Sequence, residues 1–295
     1  MRFSASMMKV WQDCSLQVKY KYEDKLEVEE RIWSKTVFGT IIHAALEHYN
    51  NTGSVDEAKE LFLLWWNDPL VLDENIKPIN MWGRGLTYGG LRSRGVQILD
   101  EYHAKNQWEN REVIATEHSF LVPLGEHWLS GYVDLLEVKK SARGKEPLRV
   151  VDYKSTSKQP YQAELALDIQ FTIYTYASMQ PEFWTGVSNE HGETAGFENG
   201  QELFERFADT ERRAIWYHLW GNKEIDAGKR DDMDYLRLYR VMLECAKSRE
   251  LDVYVPHISG NSCGLCDYVK ECAAVGPVLD RLEKTIDLEE DEGAF

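Results

Sequence analysis

Residues 127–138, HWLSGYVDLLEV, and residues 148–155, LRVVDYKS, decide the fold of this 295-residue chain. Both stretches are rich in β-branched and aromatic residues and are bounded by turn-forming residues, which predicts two strands. The residues between them, KKSARGKEP, have the length and polarity of a hairpin loop. Working back along the chain, VIATEHSFLVPL at residues 113–124 predicts a third strand of the same kind. The centre of the protein is therefore expected to be a group of antiparallel strands.

Charged residues interrupt the apolar pattern of the strands predicted at residues 127–138 and 148–155. Asp152 and Lys154 lie two residues apart and must project from one face, and Asp134 on the neighbouring strand is placed to join them. Two carboxylates suit a hard divalent cation such as Mg²⁺ or Mn²⁺. A nearby ammonium group orients or deprotonates a water molecule and offsets charge that develops on a phosphate. The alternative is an exposed Asp/Lys pair, because an isolated D-x-K is common.

Helices are predicted on both sides of the strands. Residues 37–49 have apolar side chains at helical spacing, with His43 and Glu47 one turn apart on another face. An ion pair between these two is the alternative to a functional histidine. We expect an α/β protein in an α+β layout, with a single domain over residues 1–295 and a helical insertion at residues 50–110. Further helices are predicted at about residues 54–66, 91–105, 161–179 and 233–248. Residues 183–196 have a weak strand-and-loop signal, and the pattern of residues 202–220 is ambiguous.

Four short motifs occur in order along the chain: Gly39-x-x-x-His43, Gly131-x-x-Asp134, Asp152-x-Lys154 and Gln170-x-x-x-Tyr174. Together they resemble the RecB-like branch of the PD-(D/E)xK nuclease superfamily. Each motif is short, but the set spans most of the chain, so the combination is specific. The resemblance implies a restriction-endonuclease-like core and a metal-dependent DNA nuclease.

The resemblance also implies roles for the motif residues. It implies that the metal is held by His43, Asp134, Asp152 and the backbone carbonyl of Tyr153. It implies that Lys154 acts with the two carboxylates in catalysis by positioning the attacking water.

The last motif and one further acidic residue complete the implied site. By resemblance, Gln170 and Tyr174 bind substrate and help to orient its strand. Glu117, on the strand before Asp134, lies where some relatives carry an additional acidic residue.

The cysteines predict a second metal site. Cys263, Cys266 and Cys272 are closely spaced, and Cys14 is the candidate for a fourth ligand. The spacing alone favours Zn²⁺, although a 4Fe-4S cluster also takes four cysteines. The pattern resembles the iron-sulfur subset of the same family, found in CRISPR-associated adaptation exonucleases and bacterial end-resection nucleases, and this resemblance implies a 4Fe-4S cluster. We expect residues 255–280 to form this segment with Cys14, and we expect Cys245 to be a buried apolar residue.

The net charge of −16 argues against DNA binding through overall charge. Residues 75–99 contain no acidic residue, and Arg84, Arg92 and Arg94 within them are predicted to bind substrate. Glycines, Trp82 and Tyr88 in the same stretch suit an unpaired strand. The alternative is an ordinary surface loop, and the acidic tail at residues 285–295 is expected to be merely solvated.

The expected function is that of a Mg²⁺- or Mn²⁺-dependent exonuclease on single-stranded or frayed DNA ends, in recombination, repair, phage replication or CRISPR adaptation. No phosphate-binding G-x-x-x-x-G-K-[ST] motif occurs, so a separate helicase or recombination partner is expected to supply single strands. The alternative is a non-catalytic DNA-binding or scaffolding subunit that retains the fold. The absence of a long apolar run or signal-like start predicts a cytoplasmic protein without a membrane partner.

Overall fold

The computed structural model describes residues 1–140, 146–156, 158–258, 263 and 266–272. The chain divides into two compact units. The first comprises Met1–Ala5 and Ile32–Tyr239, and the second comprises Ser6–Arg31 and Arg240–Phe295. The predicted acidic tail and the tip of the basic hairpin loop lie outside the described residues.

The first unit is built on a six-stranded mixed sheet. Its strands are β1 (Arg2–Ser4), β2 (Arg111–Leu124), β3 (His127–Lys139), β4 (Leu148–Lys154), β7 (Arg212–His218) and β8 (Lys223–Gly228), and a separate hairpin is formed by β5 (Gly186–Asn189) and β6 (Gly192–Ala195). Strand β3 pairs antiparallel with β2 and β4 and parallel with β1. Strand β4 then pairs parallel with β7, and β7 pairs antiparallel with β8. The three predicted strands and the α/β class with an α+β layout are confirmed.

The helices of both units have the following bounds. They are α1 (Ala5–Asp13), α2 (Ser15–Val18), α3 (Ser34–Thr52), α4 (Val55–Asn67), α5 (Tyr88–Lys105), α6 (Gln162–Leu167), α7 (Ile169–Ala177), α8 (Pro181–Thr185), α9 (Gly200–Phe207) and α10 (Asp232–Glu250). Helix α3 ends at Gly53, whose φ of 76° gives the left-handed cap that glycine adopts without strain. Helix α4 begins at Ser54, whose hydroxyl accepts the Glu57 N–H.

Apolar packing joins helices α3, α4 and α5 to one face of the sheet. Ile41, Ile42 and Leu46 of α3 are fully buried in a cluster that also contains Leu135 of β3 and Val151 of β4. Such side chains contribute about 1.5 to 3 kcal/mol each when fully buried. The apolar stripe of α3 therefore fixes this helix against the strands that carry the predicted carboxylates.

The contact between α4 and α5 depends on Gly95. A Cβ atom at this position would lie 1.9 Å from the Phe62 ring, closer than any real contact. The absence of a side chain lets the two helices approach around a buried phenylalanine. The helical segment preceding the sheet is thus packed as part of the first unit.

Two sequence predictions differ from the structure. The predicted helix at residues 161–179 is two helices, because Asp168 takes an extended backbone conformation and its carboxylate accepts the Gln170 N–H to start α7. Strand β7 lies where the sequence pattern is ambiguous, and no pattern predicts strand β8. Strand β7 is buried along most of its length, so it has no alternating pattern to detect.

The second unit contains α1, α2, part of α10 and the cysteine segment. Ser15 ties its two chain segments together: its hydroxyl donates to the Val255 carbonyl at 2.9 Å and accepts from the Val255 N–H at 2.7 Å. Cys245 is fully buried, as predicted. Within the described ranges, no helix is both long and apolar enough to cross a bilayer.

Candidate active site

Asp134, Asp152 and Lys154 meet where β3 and β4 lie side by side. The Lys154 Nζ lies 2.6 Å from Asp152 Oδ2, so these two side chains share a face as their spacing predicts. Asp134 Oδ2 accepts the backbone N–H of Tyr153 at 2.7 Å. Both carboxylates are buried. This arrangement rules out the alternative of an exposed Asp/Lys pair.

His43 and Glu117 complete a group of three possible metal ligands. The His43 Nδ1 lies 3.6 Å from Asp134 Oδ2 and 3.7 Å from Glu117 Oε1. One donor atom of each residue lies within 4.8 Å of the other two. His43 is therefore directed towards the strand carboxylates, and the alternative of a simple pair with Glu47 on its own helix is wrong.

Glu117 has an unusual backbone conformation for a strand residue. Its φ is 43°, in the left-handed region that non-glycine residues rarely adopt. Thr116 and His118 pair with Leu135 and Val133, which places Glu117 opposite Asp134. Such a conformation costs of the order of 1 to 3 kcal/mol and is found preferentially at functional sites. The backbone strain thus coincides with the meeting of two carboxylates.

The electrostatics of the group reflect buried like charges. Burial, opposed by His43 and reinforced by Asp152 and Glu117, raises the pKa of Asp134 to about 7. Burial disfavours the charged form of His43, but the carboxylates of Asp134 and Glu117 raise the pKa of this imidazole above its ordinary value. Ionised carboxylates crowded in a buried place require a compensating positive charge. The donor set of imidazole and carboxylates fits a divalent cation such as Mn²⁺ or Mg²⁺.

Lys154 is an ammonium group at neutral pH. Burial disfavours its charge, but Asp152 and Asp134 outweigh burial and raise the pKa of Lys154 above its ordinary value. This side chain is therefore able to donate hydrogen bonds and supply positive charge.

The fourth motif supports Asp152 from α7. The Gln170 Nε2 donates to Asp152 Oδ1 at 3.1 Å and to the Tyr174 hydroxyl at 2.7 Å. The Tyr174 ring is buried against Phe120. Tyr174 is therefore joined to Asp152 through Gln170, and its contact with a substrate strand stays a prediction.

A buried polar network lies behind the strand that carries Asp152. The Arg111 guanidinium donates to Glu137 Oε2 at 3.0 Å, to the Tyr102 hydroxyl at 2.9 Å and to Asn50 Oδ1 at 2.5 Å. The Tyr102 and Tyr153 hydroxyls are 2.6 Å apart. This network holds the Tyr153 side chain, whose backbone N–H holds Asp134. Sequence reasoning missed it, because nothing local in the chain connects its members.

The site opens into a cavity of about 720 Å³. Gly39 of α3 lines this cavity, and a Cβ atom there would lie 3.0 Å from the Ser155 hydroxyl. The glycine of the first motif therefore allows the chain after β4 to pass close to α3. Lys35, Thr36 and Thr40 also line the cavity.

The acid-free stretch supplies fewer exposed groups than the sequence suggests. The Arg94 guanidinium pairs with Glu101 at 3.2 Å and donates to the Trp220 carbonyl at 2.6 Å. These contacts occupy Arg94 inside the fold, so its assignment to a DNA surface is not supported. The Tyr88 ring is stacked on Trp66 at 5.4 Å. Arg84 and Arg92 are exposed, as a substrate contact requires.

The second unit brings the four predicted cysteine ligands together. They line one small cavity of about 40 Å³: Cys14, Cys263, Cys266 and Cys272. The Gln17 Nε2 lies 3.4 Å from the sulfur of Cys266, and the backbone N–H of His257 lies 3.5 Å from that of Cys14. Gln17 was not singled out by sequence reasoning. Four thiols with N–H donors beside them fit a metal or cluster held by thiolates.

Comparison with known proteins identifies a family. The family model of the PD-(D/E)XK nuclease superfamily matches residues 2–273, a range that includes every site residue described above. Among solved structures, the chain is similar to one described as "Crystal structure of SSO0001", with 11% identity, a TM-score of 0.31, and coverage of 91% of this chain and 95% of that chain. No curated protein matches the sequence.

Proposed function

Because this chain belongs to the PD-(D/E)XK nuclease superfamily, a group of metal-dependent nucleases, we propose that it is a deoxyribonuclease of the RecB-like branch. The observation that carries the proposal is the convergence of His43, Glu117 and Asp134 within 4.8 Å, next to the ion pair of Asp152 and Lys154. An incidental cluster of acidic residues would not place an imidazole and an ammonium group among them.

The proposed metal ligands are His43, Glu117, Asp134, Asp152 and the backbone carbonyl of Tyr153. When bound to these residues, Mg²⁺ or Mn²⁺ would supply Lewis-acid chemistry to polarise the phosphate and ease deprotonation of water.

The remaining residues of the site position these groups. Lys154 donates a hydrogen bond to the attacking water or to a phosphate oxygen, where its positive charge offsets the charge of the transition state. Gln170 holds the Asp152 carboxylate in one orientation through its contact at 3.1 Å. A residue held on two sides is preorganised, so little rearrangement is needed during the reaction.

The proposed substrate is the single-stranded or frayed end of DNA, cleaved as an exonuclease. The open cavity beside the metal ligands supports access by a strand end, and the exposed Arg84 and Arg92 supply charges for its phosphates. A helicase or recombination partner would supply such strands in repair, recombination, phage replication or CRISPR adaptation. A non-catalytic scaffold is the alternative, but it would not need the complete set of metal ligands and Lys154.

Replacing His43 with alanine should weaken metal binding before it affects the chemical step. The remaining carboxylates still attract the cation, so activity should return when the metal concentration is raised by roughly 10- to 100-fold. The measurement is the metal dependence of cleavage of a labelled single strand. His48→Ala is the matched control, because His48 lies on the same helix and pairs with the exposed Glu57. Equal metal dependence in both variants would contradict the ligand assignment.

We also propose that the second unit holds a 4Fe-4S cluster on Cys14, Cys263, Cys266 and Cys272. The four thiols line one cavity, and their spacing in the sequence resembles that of the iron-sulfur subset of the family, which supports a cluster rather than Zn²⁺.

Replacing Cys266 with serine should remove the bound iron and lower the thermal stability, because one ligand of a site that couples metal binding to folding is lost. Protein purified without oxygen should contain about four irons per chain before the change. Elemental analysis and a thermal melt give both readouts. Cys245→Ala is the control and should keep its iron, since the buried Cys245 does not line the cysteine cavity. One zinc and no iron per chain would overturn the cluster in favour of Zn²⁺.

A further inference from the structure

Tyr132 is an exposed aromatic residue beside the candidate metal ligands. Its side chain is 62% exposed although it lies within β3, next to the fully buried Val133. It precedes Asp134 by two residues, which separates their Cα atoms by about 7 Å along an extended strand. Tyr132 lines the same cavity as His43 and Glu117. A large ring is thus presented to solvent at the entrance of the site.

Most of the Tyr132 side chain is exposed rather than packed against the fold. Within the described ranges it makes no aromatic contact, unlike Tyr88, which is stacked on Trp66. Its neighbour Gly131 faces Phe120 and Tyr174, so the adjacent position serves the packed interior. Tyr132 therefore leaves a ring face open to a ligand.

The chemistry of the cavity fits a nucleotide. Lys35 is exposed on its wall, and no other described residue forms an ion pair with it. Thr36, Ser155 and Thr156, which carry hydroxyl groups, line the cavity too. An ammonium group and hydroxyls suit phosphate and sugar oxygens, whereas an open aromatic face suits a base.

We propose that Tyr132 stacks on the base of a nucleotide next to the scissile phosphate and thereby selects unpaired DNA. The inference rests on the proposed nuclease function, to which it adds a residue that determines specificity. The Cα atoms of Tyr132 and Asp134 are about 7 Å apart along the strand, so a base stacked on Tyr132 would belong to a nucleotide close to a phosphate bound at Asp134. In a duplex both faces of an internal base are already stacked, so only an unpaired or frayed base gives a face to the tyrosine.

The experiment combines Tyr132→Ala with loss of the base. Affinity is measured by fluorescence anisotropy for a labelled single-stranded oligonucleotide and for versions with one abasic position, moved in turn from either end, with Ca²⁺ as the cation. Tyr132→Ala should weaken binding of the intact strand by roughly 5- to 150-fold, the range expected for one stacked base. With the abasic site at one position, the native protein should bind the strand as weakly as Tyr132→Ala binds the intact strand. Tyr132→Ala should bind that abasic strand with no further loss of affinity.

Ring-preserving variants and an exposed tyrosine elsewhere separate stacking from general disturbance. Tyr132→Phe and Tyr132→Trp should keep the affinity, because each retains a ring that stacks. Tyr161→Ala should leave it unchanged, since Tyr161 is 74% exposed but does not line the cavity. The proposal is overturned if the losses of affinity caused by Tyr132→Ala and by the abasic site multiply at every position. It is also overturned if Tyr161→Ala loses as much affinity as Tyr132→Ala. Failure of all variants and the native protein to bind the strand would overturn it too.

Cleavage of the same oligonucleotides with Mg²⁺ or Mn²⁺ tells the two proposals apart. If binding shows the expected coupling but the native chain cleaves nothing, stacking stands and the nuclease function fails. If cleavage depends on metal but Tyr132→Ala behaves like the native protein on single strands, the nuclease function stands and stacking is overturned. The predicted pattern is a higher KM for single strands in Tyr132→Ala with kcat nearly unchanged.

Discussion

Replacing Asp152 with asparagine should lower DNA cleavage by roughly 10³-fold or more, because the change removes a charged metal ligand at the centre of the site. The substitution keeps the size of the side chain and a carbonyl oxygen able to accept from Gln170. The charge that pairs with Lys154 at 2.6 Å is lost. Single-turnover cleavage of a labelled strand at saturating metal measures the effect on the chemical step.

Asp226→Asn is the matched control for this prediction. Asp226 also pairs with a cation, Arg213, at 2.5 Å, but both side chains are more than a third exposed. Exposed pairs contribute little to stability, and Asp226 does not line the cavity, so cleavage should be unchanged. Lys154→Ala, tested separately, should lose cleavage as Asp152→Asn does. Activity close to that of the control in both variants would disprove the assignment of the active site.

Replacing Arg111 with methionine should lower the free energy of unfolding by about 3 to 5 kcal/mol, the effect of removing one partner of a buried ion pair. Both side chains of the Arg111–Glu137 pair are nearly inaccessible to solvent. Methionine replaces the length of arginine but removes the hydrogen bonds that Arg111 donates to Asn50 and to the Tyr102 hydroxyl, and it leaves Arg149 as the remaining cation of Glu137. Urea unfolding followed by circular dichroism measures the change.

The comparison variant is Arg206→Met. Arg206 makes two hydrogen bonds of 2.6 Å with Glu112, but this pair is exposed. Screening by water and salt limits such a pair to about 1 kcal/mol or less. If both variants lose the same small amount of stability, the buried network does not hold the strand behind the active site.

The parts of the fold that the sequence predicted are those with local patterns. Helix α3 has an apolar stripe, and β3 and β4 have apolar runs interrupted by charges at spacings of two. Strand β7 escaped prediction because it is buried on both faces and pairs with β4 across more than fifty residues of intervening chain. The break at Asp168 escaped because an aspartate that caps a helix resembles one inside a helix until its backbone is known.

In the candidate site, too, residues with a local sequence pattern were predicted, and contacts that depend on the fold were not. The spacing of Asp152 and Lys154 predicted their contact, and the family resemblance added His43. Glu117 was placed less firmly, because its meeting with His43 depends on how β2 pairs with β3 and on a backbone conformation that composition does not reveal. For Arg94, the acid-free surroundings suggested exposure. Its partners Glu101 and Trp220 could not be predicted, because Trp220 is distant in the sequence.

The measurement that tests the central claim most directly is the release of nucleotides from 5′- and 3′-labelled DNA by the native chain under three conditions. These are Mg²⁺, Mn²⁺, and excess chelator followed by restored metal, each with single-stranded and double-stranded substrates. A metal centre built on His43, Asp134 and Asp152 predicts cleavage of single strands with either metal, none with chelator, and recovery when metal is restored. Intact DNA under every metal condition, or cleavage that persists unchanged in chelator, would contradict it.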